Sequence, residues 1–175
     1  MTDFSSPDAY GALVEPTTVK IQRLLPGPIE RVWSYLMKDE LRRQWLAAGA
    51  MEEKVGAQFE LVWHHDDHDK GKRPPGVDAE KRMTSRITAL DRPRKLAFEW
   101  EGTGDVSFEL EPRGDEVLLT VTHRRLPTRG MMLGVSAGWH AHLDRLVAHA
   151  RGTAPAPFWT SWSKLREDYD QRLPA

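Results

Sequence analysis

The strongest constraint on the fold is a run of alternation between Lys95 and Arg124. Leu96, Phe98 and Trp100 alternate with polar residues, as do Val106, Phe108 and Leu110, and then Val117, Leu119 and Val121. A period of two belongs to strands with one buried and one wet face. Gly102, Gly104 and Gly114 fall between these runs and suit tight hairpins. From Ser136 to Arg151 the spacing becomes helical, with Trp139, Leu143, Leu146, Val147 and Ala150 on one stripe. Half-buried strands followed by a long amphipathic helix predict an α+β fold, a curved antiparallel sheet closed by that helix. Such a shape commonly holds a cavity, and a cavity suits a small ligand.

The remaining chain fits around that unit. Met1 to Thr17 carries Ser, Pro, Asp and Gly with little periodicity and reads as a flexible arm. Val19 to Leu25 reads as a first strand, broken by Pro26-Gly27-Pro28. Ile29, Val32, Trp33 and Leu36 place a helix over Pro28 to Met37. Asp39 can cap a second short helix carrying Leu41, Trp45 and Leu46, with Gly49 ending it. Strands are expected over Met51 to Val55, Gln58 to His64 and Lys81 to Leu90, the last two flanking a polar hairpin tip from His65 to Gly76. Leu126 to Gly134 reads as a loop. Gly152 to Pro157 is a Pro/Ala linker before a tail helix from Phe158 to Leu173. The predicted sheet has six to seven strands. The predicted organisation is an arm (1–17), one domain (18–152), and a linker with tail helix (153–175).

Composition narrows the function classes. The 175 residues suit one core, and 25 basic against 26 acidic side chains leave a formal net charge of −1. No global field favours nucleic acid or an anionic membrane. The absence of cysteine excludes disulfides and thiol nucleophiles. No apolar run approaches the roughly 20 residues of a membrane span, and the N-terminus lacks a signal-peptide pattern. A soluble cytoplasmic protein is expected. Seven tryptophans stand out: they serve as core, and a subset is placed to line a pocket for an apolar or aromatic ligand.

Four runs carry a family resemblance. They are PGPIERVWSYLMKDELRRQWL, VGAQFELVW, ITALDRPRKLAFEWEG, and LLTVTHRRLP followed by SAGWHAHLDRLVAHARG. In order and spacing they resemble the helix-grip fold of the START-related SRPBCC superfamily. More narrowly, they resemble bacterial proteins similar to the C-terminal domain of the activator of the heat-shock-protein-90 ATPase. The resemblance spans roughly Val19 to Gly152. It implies a cavity between sheet and last helix but little chemistry, because one fold hosts many functions. Members of the superfamily bind lipids, hormones or polyketides, and some catalyse cyclisation or hydrolysis.

The candidate chemistry is sparse. His64-His65-Asp66-Asp67-His68-Asp69 offers metal-ligand side chains, but neighbours on a strand point to opposite faces. It reads as a solvated tip, and no metal or other cofactor is assigned. His123 shares parity with Val117, Leu119 and Val121 and should face the interior, as a polar anchor rather than a catalytic group. His140 should point outward from the closing helix, with His142 nearer its stripe. Ser85 and Ser107 lack a nucleophile elbow. Arg23, Glu99 and Glu101 are expected on the outer sheet face. The expected pocket is lined by Trp63, Met83, Ser85, Trp100, Phe108, Leu119, Val121, His123, Met132 and Trp139, gated by Leu126 to Gly134. No paired acid and base appears, which favours binding of a small hydrophobic ligand over catalysis. The alternatives are a protein-interaction module of the heat-shock-protein-90 ATPase activator type, which the resemblance implies, with a tail bearing Trp159 and Trp162 to dock on a partner or second copy, and a cyclase- or hydrolase-type enzyme using His123.

Overall fold

The computed structural model describes residues 7–64, 73–75, 80–100 and 104–173. Its strands are β1 (Ala12–Glu15), β2 (Thr18–Pro26), β3 (Gln58–Trp63), β4 (Lys81–Asp91), β5 (Lys95–Glu99), β6 (Asp105–Arg113) and β7 (Glu116–Arg124). The helices are α1 (Ile29–Met37), α2 (Asp39–Arg42), α3 (Arg129–Arg151) and α4 (Phe158–Arg172). The strands form one antiparallel sheet in the order β1-β2-β7-β6-β5-β4-β3. This is the expected α+β helix-grip arrangement, with a long helix on a curved sheet and a tail helix after it.

Alternation decides the buried face. Phe59, Leu61 and Trp63 of β3, Met83 and Ile87 of β4, Leu96 and Phe98 of β5, and Val117, Leu119 and Val121 of β7 all enter the interior. They form one core with Trp139, Leu143, Leu146 and Ala150 of α3 and with Trp33, Leu36 and Trp45 from the first helical region. Pairing across the sheet keeps this face in register: Phe98 stands opposite Ile87 and Val106, and Val106 opposite His123. Both tryptophans of the first helical region end in a hydrogen bond. Trp33 Nε1 donates to Glu53 Oε1 at 2.8 Å, and Trp45 Nε1 donates to the Tyr35 carbonyl at 2.9 Å. Such partners let an indole lie inside without an unpaired N–H.

Several elements differ from the sequence reading. Within the expected arm, Ala12–Glu15 pairs with β2 as an edge strand; residues 1–6 lie outside the described residues. Met51 to Val55 forms no strand. The edge of β3 is met instead by Ala48, which exchanges two hydrogen bonds with Val62 at 2.9 Å. Gly49 follows at φ +140, where an added Cβ would collide with the Glu60 carbonyl. Asp39 lies in the first turn of α2 rather than at its cap, and its Oδ1 accepts the Gly49 N–H at 2.8 Å.

The expected loop from Leu126 to Gly134 is largely helix. Thr128 caps α3, its side chain accepting from Met131 N at 3.2 Å, so α3 runs about two turns further back than its apolar stripe predicts. The cause is that α3 is covered on two sides. Its second face, with Leu133, Ala137 and Ala141, holds Phe158, Trp159, Leu165 and Tyr169 of the tail. Arg23 also departs from expectation. It shares the inward parity of Ile21, is 7% exposed, and binds Asp144 of α3 through Nη2 at 3.0 Å. Glu99 does face outward, paired with Arg86 at 3.0 Å. Among the described residues no helix is long and apolar enough to cross a membrane.

Candidate ligand-binding site

Antiparallel order brings the C-terminal ends of β3, β5 and β7 to one end of the sheet, beside the start of β4. Trp63 ends β3, Trp100 follows β5, His123 lies near the end of β7, and Lys81 begins β4. Trp139 of α3 covers them. The rings are in mutual contact: Trp100 lies 5.4 Å from Trp63, 5.3 Å from Trp139 and 5.2 Å from His123, centre to centre. Phe98 stacks on Trp100 at 6.2 Å, and Phe108 meets Trp139 edge-on at 5.6 Å. These spacings are those of attractive aromatic pairs. Trp63, His123 and Trp139 are buried, whereas Trp100 is half-buried. The Trp100 ring is therefore the member of the group that reaches the surface.

The backbone holds Trp100 in place. Its N–H donates to the Gly104 carbonyl at 2.8 Å. Gly104 has φ +83, and a Cβ there would overlap the Arg124 carbonyl. Glycine is required by both the left-handed backbone and the close approach.

His123 is fully buried, and its Nδ1 accepts from Trp139 Nε1 at 3.1 Å. An indole N–H only donates, so this bond requires an unprotonated Nδ1 and a neutral imidazole. Ser85 Oγ donates to the Glu99 carbonyl and is thereby engaged by the neighbouring strand. Met83, Phe108, Leu119 and Val121 form the apolar wall deeper along the same face. Thus Trp63, Trp100, Phe108, His123 and Trp139 come together as one aromatic group, with Met83, Ser85, Leu119 and Val121 around it. Met132 does not join them. It sits half-buried in the first turns of α3 and is not among the residues packed on either core cluster; Val135, one turn nearer Trp139, packs on the main core.

Sequence reasoning missed Lys81. Its Cα is the direct register partner of Trp63, so both side chains leave the same face of the sheet. The residue is exposed as a whole, yet its Nζ lies 5.6 Å from the Trp63 ring centre and 6.0 Å from that of Trp100. That is cation–π distance. Desolvation beside these rings lowers its pKa below the ordinary lysine value. The parity Lys81-Met83-Ser85-Ile87 was the available signal.

Two further groups lie elsewhere. His140 is buried under α4, contrary to the outward expectation, with Nδ1 2.9 Å from Tyr169 Oη. His142 Nδ1 lies 2.8 Å from the Trp45 carbonyl, and its ring packs on Phe158 at 4.7 Å. The histidine–aspartate run from His65 to Asp69 lies outside the described residues, as does Glu101. His64 sits at the rim of a surface cleft of about 480 Å³, shared with Asp39, Arg43, Glu80 and Arg82. That cleft is charged and lies on the edge of β3, away from the aromatic group.

The sequence profile of the family described as Activator of Hsp90 ATPase homolog 1-like protein matches residues 26–151. A Bordetella parapertussis protein solved by NMR is 40% identical, with 100% of this chain and 97% of that chain covered and a TM-score of 0.78. CalU16 from Micromonospora echinospora is 22% identical over 88% of this chain and 86% of its own, with a TM-score of 0.66. DynU16, a protein in the dynemicin biosynthetic locus, is 20% identical over 81% of this chain and 49% of its own, with a TM-score of 0.63. The last two show shared fold alone. No functionally curated protein matches. With most of its length matched by the profile, the chain belongs to the Activator of Hsp90 ATPase homolog 1-like family, within the SRPBCC superfamily.

Proposed function

We propose that this protein binds a small hydrophobic or aromatic molecule in the cytoplasm, at the end of the sheet where Trp63, Trp100, His123 and Trp139 meet. Sequestration, transport and sensing all fit this reading. The observation that carries it is the half-buried Trp100 ring, which touches three other rings of the group and reaches the surface. A ligand enters beside Trp100 and stacks on its ring and on the Trp63 ring next to it. Trp139 and His123, bonded to each other, form the rear wall. The placing of one fold relative, DynU16, in the dynemicin biosynthetic locus is compatible with small-molecule binding.

The interaction-module alternative relied on a tail free to dock. Trp159 is 3% exposed and packs with Phe158 and Trp162, whose Nε1 donates to the Gly134 carbonyl at 3.2 Å. Those rings are committed to α3, so the tail is a weak candidate for partner docking. The enzyme alternative gains nothing from His123, whose Nδ1 is held by Trp139.

The test is native mass spectrometry of untagged protein, then identification of whatever denaturation releases. A stoichiometric small molecule, lost in a folded Trp100→Ala variant, is the expected result. Empty protein, combined with no thermal shift across a panel of aromatic and aliphatic ligands, would overturn the reading.

A further inference from the structure

The polar groups on the inner face of the sheet are mostly engaged by the protein itself. Arg23 is bound to Asp144, Ser85 to the Glu99 carbonyl, and His123 to Trp139. Lys81 differs. It points to the same face as Trp63, its ammonium lies over two indole faces, and among the described residues no carboxylate pairs with it. Carboxylates are close by in sequence, yet they are directed elsewhere: Glu80 and Glu60 both pair with Arg82, at 3.1 and 2.9 Å, on the outer side of the sheet.

We infer that the aromatic site selects planar aromatic molecules bearing one anionic group, a carboxylate, sulfonate or ionised phenol, which pairs with the Lys81 ammonium while the rings stack on Trp100 and Trp63. This deepens the function proposed above and rests on it. Three physical arguments support the selection. A charge-assisted hydrogen bond beside apolar rings is stronger than one in open water. The same desolvation that disfavours an isolated ammonium makes an anionic partner there more favourable. An uncharged ligand of the same shape would cover the ammonium without satisfying it, and a cation would be repelled, so the site discriminates against both.

The experiment compares two fluorescent probes of similar shape: 8-anilinonaphthalene-1-sulfonate, an anion, and N-phenyl-1-naphthylamine, which is neutral. Each is titrated into the full chain and into Lys81→Met, Lys81→Arg and Trp100→Ala. Lys81→Met is expected to weaken the anionic probe about tenfold and to leave the neutral probe bound at least as tightly as before. Lys81→Arg should retain the preference, since the charge remains. Trp100→Ala should weaken both probes. If both probes bind and depend on Trp100, but Lys81→Met leaves their ratio unchanged, the anion assignment fails while the aromatic site stands. If neither probe binds, or binding survives Trp100→Ala, the site itself is lost, and both readings fall together.

Discussion

Replacing Tyr169 by Phe removes one oxygen and strands two partners. The Tyr169 hydroxyl accepts the Gly11 N–H at 2.7 Å and meets His140 Nδ1 at 2.9 Å. The other ring nitrogen, Nε2, lies 3.4 Å from Asp144 Oδ2. A carboxylate only accepts, so the imidazole proton is assigned to Nε2, and Nδ1 accepts from the hydroxyl. Tyr169 is fully buried and His140 is 5% exposed. Burial raises the Tyr169 pKa to about 12, which keeps the hydroxyl protonated and able to donate. In Tyr169→Phe both Gly11 N and His140 Nδ1 lose their partner away from water. Each such loss costs about 1–3 kcal/mol, and the Gly11 share is relieved where the edge strand opens, so the expected total is about 2–4 kcal/mol. Urea unfolding measures the total, and amide exchange at Gly11 reports the local opening. A change below about 0.5 kcal/mol, with Gly11 exchange unaltered, would refute the claim that this hydroxyl ties the N-terminal strand, α3 and α4 together.

Other consequences are more quickly stated. Burial lowers the His140 pKa to about 4, opposed by Asp144, from the ordinary histidine value of 6.5. The unfolded chain then binds more protons between these values, so this contribution is complete above about pH 6.5 and is lost as pH falls towards 4. The loss is on the order of 3 kcal/mol, and His140→Gln should flatten that slope in urea melts at pH 7, 5.5 and 4.5; an equally steep slope in the variant would refute the assignment. Gly104→Ala forces a side chain into the left-handed region and against the Arg124 carbonyl. It should cost about 2 kcal/mol or more and shift tryptophan emission through Trp100, while an unchanged spectrum and midpoint would count against that geometry.

What could be read from the sequence depended on how many faces an element buries. Strands with one wet face alternate cleanly, and β4 to β7 emerge close to their expected bounds for that reason. Trp63, Trp100 and His123 fall on the same inner face of the sheet because parity alone fixes a strand side chain's direction, and helical spacing turns Trp139 of α3 towards them. Where an element is covered twice, the pattern blurs. The first turns of α3 have Gly130, Gly134 and small residues against the tail, so they read as loop although Thr128 marks a cap. His140 looked outward because nothing in its own helix announces α4. Arg23 departs for another reason: its charge suggests solvent, although it carries the inward parity of Ile21. For Arg23 the partner is Asp144, 121 residues away, and no local signal reveals it. Lys81 shares the parity of Met83, Ser85 and Ile87, a signal present in the sequence that the expected pocket lining left out.

The distribution of polar groups along the inner face gives the site its direction. At one end α1 packs over β6 and β7, and Trp33, Leu36, Trp45, Leu25 and Val117 close the interior with side chains that are at most 2% exposed. At the other end lie Lys81, His123 and the Trp139 N–H, with Trp100 half-exposed before them. A ligand that entered from the first end would have to dismantle the best-packed part of the core, whereas at the second end it meets the half-buried Trp100 ring at the surface. Substitutions should therefore separate by position. Leu25→Ala removes fully buried methyl groups and should cost about 2–5 kcal/mol of stability. In the fraction that remains folded, ligand affinity should be unaffected. Trp100→Ala removes a half-buried ring, and so should cost less stability but abolish binding. If Leu25→Ala weakened binding as much as Trp100→Ala at equal folded fraction, the two ends would form one cavity, and the placement of the entrance beside Trp100 would be wrong.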